Sequence, residues 1–181
     1  MGEYYIANQR FDRTSPGWDA YAKWRGLPQL IEVVSIENYS VLQGSRLTSE
    51  EWSNIAPAAE VGPHPVCFRN LDLLQGCLAR TVPEVPFNLL CVFREPAEPP
   101  VARLSPFTLL GYDLIEDRTG VSALTNCSSG FPAVIVAAEI SEFGLIRTFE
   151  RAKEVQRGLP RAYPQEPHAY CSLWAIFRTS E

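Results

Sequence analysis

A chain of 181 residues, 46% hydrophobic and 20% charged, has the composition of an ordinary globular protein, and we read 1–181 as a single domain able to bury its own core. The formal net charge of −5, with no cluster of Lys and Arg, excludes nucleic acid and anionic membrane as expected partners, because binding there draws on clustered cations. No run approaches the ~20 apolar residues of a membrane span, and "MGEYYIANQRFD" has neither the basic nor the apolar region of a secretory signal, so the expected compartment is the cytoplasm.

The first element is a short β-prone run at residues 4–7, read as an edge strand. Ser15-Pro16 then opens a short helix carrying Trp18, Tyr21, Ala22 and Trp24, which stops near Gly26. Its rings could form a ligand platform, but core packing is the expected use of aromatics so placed. Residues 30–36 read as a strand with Glu32 its one charge, followed by a turn over 37–40. Thr48 and Glu51 form a capping box for a brief helix, and "APAAEVGPHPVC" reads as an irregular Pro- and Gly-rich loop.

From Asn70 the spacing of Leu71, Leu74 and Leu78 predicts a helix with Gly76 in its interior. "FNLLCVF" is a buried strand, and "EPAEPP" an extended surface linker. Residues 107–126 read as a hairpin, with strands 107–116 and 121–126 joined through a turn ending at Gly120. "NCSSGFP" is a loop and "AVIVAAEI" a strand.

The last forty residues carry the clearest periodicity. Leu145, Phe149, Ala152, Val155 and Leu159 recur in steps of three and four, predicting a helix over 143–158 with Ser141 as its cap and Gly158 and Pro160 as its stop. Residues 169–177 then alternate, Cys171, Leu173, Ala175 and Phe177 against Tyr170, Ser172, Trp174 and Ile176, which predicts a strand covered on both faces. Strands grouped together with helices at the sides predict an α+β fold: a mostly antiparallel mixed sheet with three or four helices, the longest near the C-terminus and packed on the sheet.

No phosphate loop, dinucleotide fingerprint or H-E-x-x-H motif occurs. Three constellations remain. His64-x-x-Cys67 and His168-x-x-Cys171 pair the only two histidines with cysteines at equal spacing, the donor set of a Cys2His2 structural zinc site. Cys127 follows a predicted strand in a Gly- and Ser-containing loop, where it would be a nucleophile with His64 or His168 as base and Asp113 or Asn126 as orienter. Two carboxylate pairs, Asp113/Asp117 and Glu139/Glu142, have the residue types of a glycosidase dyad. Asp113 stands out because it interrupts an apolar strand, where burial would raise its pKa. The five cysteines are odd in number and fit a reducing compartment as free thiols.

By elimination the leading expectation is a binding or interaction module without catalysis, of the immunity or inhibitor kind, needing no cofactor and recognising another protein or a small ligand. A cysteine-nucleophile hydrolase or transferase built on Cys127, and a zinc-stabilised domain, are the alternatives.

Overall fold

The computed structural model describes residues 2–42, 50, 59–61, 66–81, 84–127 and 130–179, with backbone alone for 59–61 and 66. Nine strands are β1 (Gly2–Gln9), β2 (Phe11–Asp12), β3 (Glu32–Val33), β4 (Ala59–Val61), β5 (Val66–Phe68), β6 (Phe87–Arg94), β7 (Arg103–Leu104), β8 (Phe107–Glu116) and β9 (Cys171–Thr179) among the described residues. Three helices are α1 (Trp18–Arg25), α2 (Leu71–Thr81) and α3 (Phe149–Ala162), again among the described residues. Seven strands pair in the order β4-β5-β1-β6-β9-β8-β7, every pairing antiparallel, and β2 and β3 form a small second sheet. The α+β class holds, and the longest helix lies near the C-terminus against β8 and β9.

β6 and β9 sit at the middle of the sheet because their sequences are apolar on both faces, and water is excluded from both. The residues Phe68, Tyr5, Cys91 and Phe177 stand opposite one another across β5, β1, β6 and β9 and so share a face. On that face α3 buries Ala152, Val155 and Leu159 against Leu173, Ala175 and Phe177, while α2 sets Leu74 and Cys77 against Ala7 and Phe68. The opposite face gathers Tyr4, Ile6, Val92, Trp174 and Ile176, and is closed by Val34, Ile36 and Leu145. Leu159, Leu74 and Ile176 are all wholly buried; at roughly 1.5–3 kcal/mol for each aliphatic side chain removed from water, these two layers dominate the stability.

Several elements depart from the sequence expectation, each for a local reason. The N-terminal strand runs over Gly2–Gln9 and lies inside the sheet between β5 and β6, where Ile6 and Ala7 are buried. Within the predicted strand 30–36 only Glu32 and Val33 pair, with β2; the chain beyond turns, held where the Asn8 amide donates to the Ser35 and Ile36 carbonyls. Part of the Pro-rich loop forms the hairpin β4–β5, while Thr48, Glu51 and His64 lie outside the described residues.

β8 does not return as a hairpin. After the turn at Gly120 the chain makes one bridge, Ile115 to Ser122, and leaves the sheet because the Ser122 hydroxyl accepts the Leu124 and Thr125 backbone N–H groups, each at 3.2 Å. A serine that offers the backbone such a partner competes with the ladder. The outer edge of β8 is instead covered in turn by β7, by Ile146 and by the 121–123 segment. Gly111 allows the second of these contacts. A Cβ there would stand 2.7 Å from the Ile146 carbonyl oxygen, and without one the Tyr112 and Ile146 backbones exchange hydrogen bonds of 2.8 and 2.9 Å.

The segment 133–140 is not a strand. It makes a turn over 132–134 and a 3-10 turn at Ala137–Glu139, tied to α3 by Arg151, which bonds both the Val134 carbonyl and the Glu139 carboxylate. The last helix begins six residues later than expected and ends four later. Thr148 caps it by accepting the Arg151 N–H. Ser141 spends its hydroxyl on Phe143 and Leu145 in a turn, so Leu145 is buried without being helical. The helix continues through Pro160 because Leu159 is wholly buried and Tyr163 packs on Phe131 at 5.1 Å, holding the last turn against the lost N–H. Among the described residues no helix is long and apolar enough to cross a membrane.

Candidate functional site

The topology brings the turn after β3, the start of α1 and the segment after Gly120 to one place, although they are distant in sequence. Between them lies a cavity of about 520 Å³, within the roughly 300–1,000 Å³ range of small-ligand sites. Phe11, Tyr21, Val33, Tyr39 and Val121 give it an apolar and aromatic wall, and Glu37, Asn38 and Asn126 place polar groups on one side.

To its aromatic wall α1 contributes Tyr21, beside Phe11 of β2 and Tyr39 of the turn after β3. Trp18 is buried, and its ring, that of Phe11 and that of Tyr21 meet with centroids 5.1–5.9 Å apart. The Tyr21 hydroxyl donates to the Thr125 carbonyl at 2.8 Å, which ties α1 to the far wall. Of the three rings expected to anchor this helix, Trp18 serves the core, Tyr21 lines the cavity and Trp24 stays 46% exposed.

Behind the polar side lies a pair of carboxyl groups joined through two serines. Asp113 in β8 is wholly buried. It accepts the Ser35 and Ser122 hydroxyls, each at 2.7 Å, and the Leu114 backbone N–H at 2.8 Å. Ser35 Oγ also accepts the Glu37 N–H at 3.3 Å, and the Ser122 N–H donates to Glu37 Oε2 at 2.9 Å. Glu37 further accepts the Thr125 hydroxyl at 3.1 Å and the Asn126 amide at 3.2 Å. Asp113 thus positions two of the four residues that hold Glu37 at the cavity.

Burial disfavours the charged form of both acids. It pushes Asp113 up to about 6 against the pull of its three donors, and pushes Glu37 up to about 7, with the nearby Asp113 charge adding to the rise. A carboxyl poised near neutrality beside a cavity can hold a cation when charged, donate a hydrogen bond when neutral, and exchange a proton between the two.

The residues singled out in the sequence fall differently. Cys127 is buried, and burial pushes its thiol up to about 11, away from the low pKa that a neutral-pH thiolate nucleophile needs. Asp113 spends its oxygens on Ser35, Ser122 and Leu114, and Asn126 donates to Glu37, so neither is bonded to His168. His168 lies in a 3-10 turn, Pro167–Ala169, where its carbonyl accepts the Cys171 thiol at 3.0 Å. Alkylation of Cys127 by iodoacetamide at pH 7 is expected to be slower than that of a free cysteine, by about tenfold or more given the burial and the raised pKa; mass spectrometry of the labelled peptide checks it, and a faster reaction would restore Cys127 as a nucleophile.

Cys67 and Cys171 stand on opposite faces of the sheet, one with Ile6, Trp174 and Ile176, the other with Leu173, Ala175 and Phe177. Phe68, next to Cys67, stands in line with Phe177, across two intervening strands. That separates the two thiols by roughly 14 Å across the sheet and roughly 20 Å along it, far beyond two sulfurs sharing one zinc at ~2.3 Å each. His64 is outside the described residues, among which no three His, Cys, Asp or Glu side chains gather as metal ligands. Nor do the carboxylate pairs meet as dyads. Asp117 is bound by Arg94 at 3.0 Å, Glu139 by Arg151 at 2.6 Å and Glu142 by Arg147 at 3.1 Å, each in its own ion pair.

Asp113 carried a sequence signal, a lone charge in an apolar strand. Glu37 and the two serines carried none, being ordinary turn residues whose meeting is made by the fold. No protein-family model matches this chain, and no curated protein or solved structure does either.

Proposed function

We propose that this protein is a binding module without catalysis of its own, and that it takes a small ligand in the cavity between Phe11, Tyr21, Tyr39 and Glu37. One observation carries the reading: a concave, aromatic-walled space has, among the described residues, a single carboxyl at its edge, Glu37, which burial raises to about 7 and which Ser122, itself bonded to the buried Asp113, helps fix in place. Fixing a carboxyl in a half-desolvated position costs stability, and such groups concentrate where a ligand repays them. The class is the one reached by elimination from the sequence, a binding or interaction module of the immunity or inhibitor kind, here with a cavity as the proposed contact. The five cysteines, all free, support a cytoplasmic setting.

A ligand-observed NMR screen of small fragments tests this. Val121→Trp should fill the cavity from its wall, so fragments that bind the native protein are expected to lose at least tenfold in affinity to the variant, with thermal melting confirming that it folds. Fragments that bind both proteins equally would place the binding surface elsewhere.

A further inference from the structure

The charges around the cavity narrow the chemistry of its ligand. Arg10, at its rim, is engaged with Glu32 at 3.3 Å and Asp12 at 3.7 Å, and Glu32 is itself held by Arg178 at 2.7 Å and by the Asn88 amide at 2.6 Å. These two cations and two carboxylates balance. The groups facing Glu37 from the other elements are Asp113 on β8, the Tyr21 phenol on α1 and the Cys127 thiol. Burial holds the phenol above its ordinary range and the thiol at about 11, so both stay neutral at physiological pH. Arg25, beyond Tyr21, keeps its charge, hydrogen-bonds the Leu124 carbonyl and lies outside the lining of the cavity. What remains unbalanced at the cavity is negative: Glu37 with Asp113 behind it.

We propose that the cavity binds a small organic ammonium ion, and that the cation takes the place of the proton carried by the Glu37 carboxyl. This rests on the cavity being a ligand site. Two features favour a cation over an anion or a neutral molecule. Its charge relieves the repulsion between Glu37 and Asp113, whereas an anion would add to it. The rings of Phe11, Tyr21 and Tyr39 line the same space, and aromatic faces attract a desolvated ammonium group, which a strongly hydrated metal ion would not exploit. Binding and proton release are one equilibrium, since the protonated carboxyl must give its proton to solvent as the cation arrives. Affinity is then steady above the Glu37 value of about 7 and falls toward tenfold per pH unit below it. The protein would hold its ligand at neutral pH and release it in mild acid.

Calorimetry with two probe pairs tests this: choline against its uncharged carbon isostere 3,3-dimethylbutan-1-ol, and phenethylamine against phenethyl alcohol. At least one cation is expected to bind tenfold or more tighter than its neutral partner at pH 7.5. It should lose about tenfold or more in affinity by pH 5.5, and its heat should vary with the ionisation enthalpy of the buffer near pH 6.5 as protons are released. In Glu37→Gln the cation should lose about tenfold at pH 7.5, and its pH dependence should shrink to the smaller part that Asp113 contributes from behind. Equal binding of cation and alcohol would overturn the proposal while leaving the cavity a ligand site. Cation binding without proton release in the native protein would overturn it irrespective of how the variant folds. Failure of all four probes to bind the native protein would overturn the proposal, and the fragment screen would then show whether the ligand reading falls with it.

Discussion

Replacing Asp113 with alanine is expected to lower the stability of the folded protein by about 3–5 kcal/mol at pH 7.5, the cost of stranding several buried donors at once. The side chain is wholly buried and satisfies two hydroxyls and one backbone N–H, from Ser35, Ser122 and Leu114. Alanine leaves all three without a partner and opens a small void in β8. Asparagine keeps the shape and one acceptor, and the serine hydroxyls can rotate to meet its amide, so Asp113→Asn should lose only about 1–2 kcal/mol. Urea unfolding of the two variants measures the difference. A loss below about 1 kcal/mol in the alanine variant would mean that the network is not what holds this corner of the fold. Loss of the Asp113 charge should also lower the pKa of Glu37, because repulsion between the two is one cause of its rise.

How far such a site can be seen in a sequence depends on whether its residues conflict with their local pattern. β9 was legible because its alternation is apolar on both faces, and only a central strand meets that demand. α2 was legible from its leucine spacing and from Asn70, whose side chain accepts the Leu73 N–H as predicted. Asp113 showed itself as a charge in an apolar run. Glu37 did not, since a glutamate after a strand is the commonest of solvated residues and nothing near it in the chain announces burial. Ser35 and Asp113 are 78 positions apart, and Ser122 and Glu37 are 85 apart. Their association depends on the packing of the β3 turn against β8, which no local periodicity encodes.

The misread elements share a cause. A serine hydroxyl turned the chain off the ladder at Ser122, and another at Ser141 made a turn where a helix cap was expected. Serine at these positions is compatible with strand, cap and turn alike, and the choice among them is made by tertiary contacts. Histidine-cysteine spacing misled in a different way. Equal spacing within two segments carries no information about whether the segments meet, and sheet order puts Cys67 and Cys171 on opposite faces.

The largest functional signature should be an inverted pH dependence of stability that Glu37→Gln reduces to the part contributed by Asp113. Most paired carboxylates stabilise a fold more as pH rises, and those here that are pulled below their ordinary values, Asp12, Glu95, Glu116 and Glu139, contribute in that sense. Their contribution is complete above about pH 4.5, the ordinary carboxylate range, and is lost as pH falls through their lowered values. Glu37 and Asp113 work the other way. Raised from 4.5 to about 7 and from 3.8 to about 6, they bind protons more tightly in the folded than in the unfolded chain. The stability tied to their neutral forms is full below about pH 4 and is lost as pH climbs through 6 and 7. The native protein should therefore be most stable near pH 4–4.5 and weaken by roughly 2–4 kcal/mol on the way to pH 8, after allowance for water reaching the half-buried Glu37. Glutamine fits the same socket: its carbonyl can accept from Ser122 and Asn126, while its amide faces the Thr125 hydroxyl, which can reverse to accept. Glu37→Gln should then match the native protein near pH 4.5 and exceed it by about 1–3 kcal/mol at pH 8, as measured by urea unfolding at half-unit pH steps. A native-to-variant difference that stays constant across that range would show that Glu37 titrates as an ordinary surface carboxylate, and the cavity would lose the proton that a cation is proposed to displace.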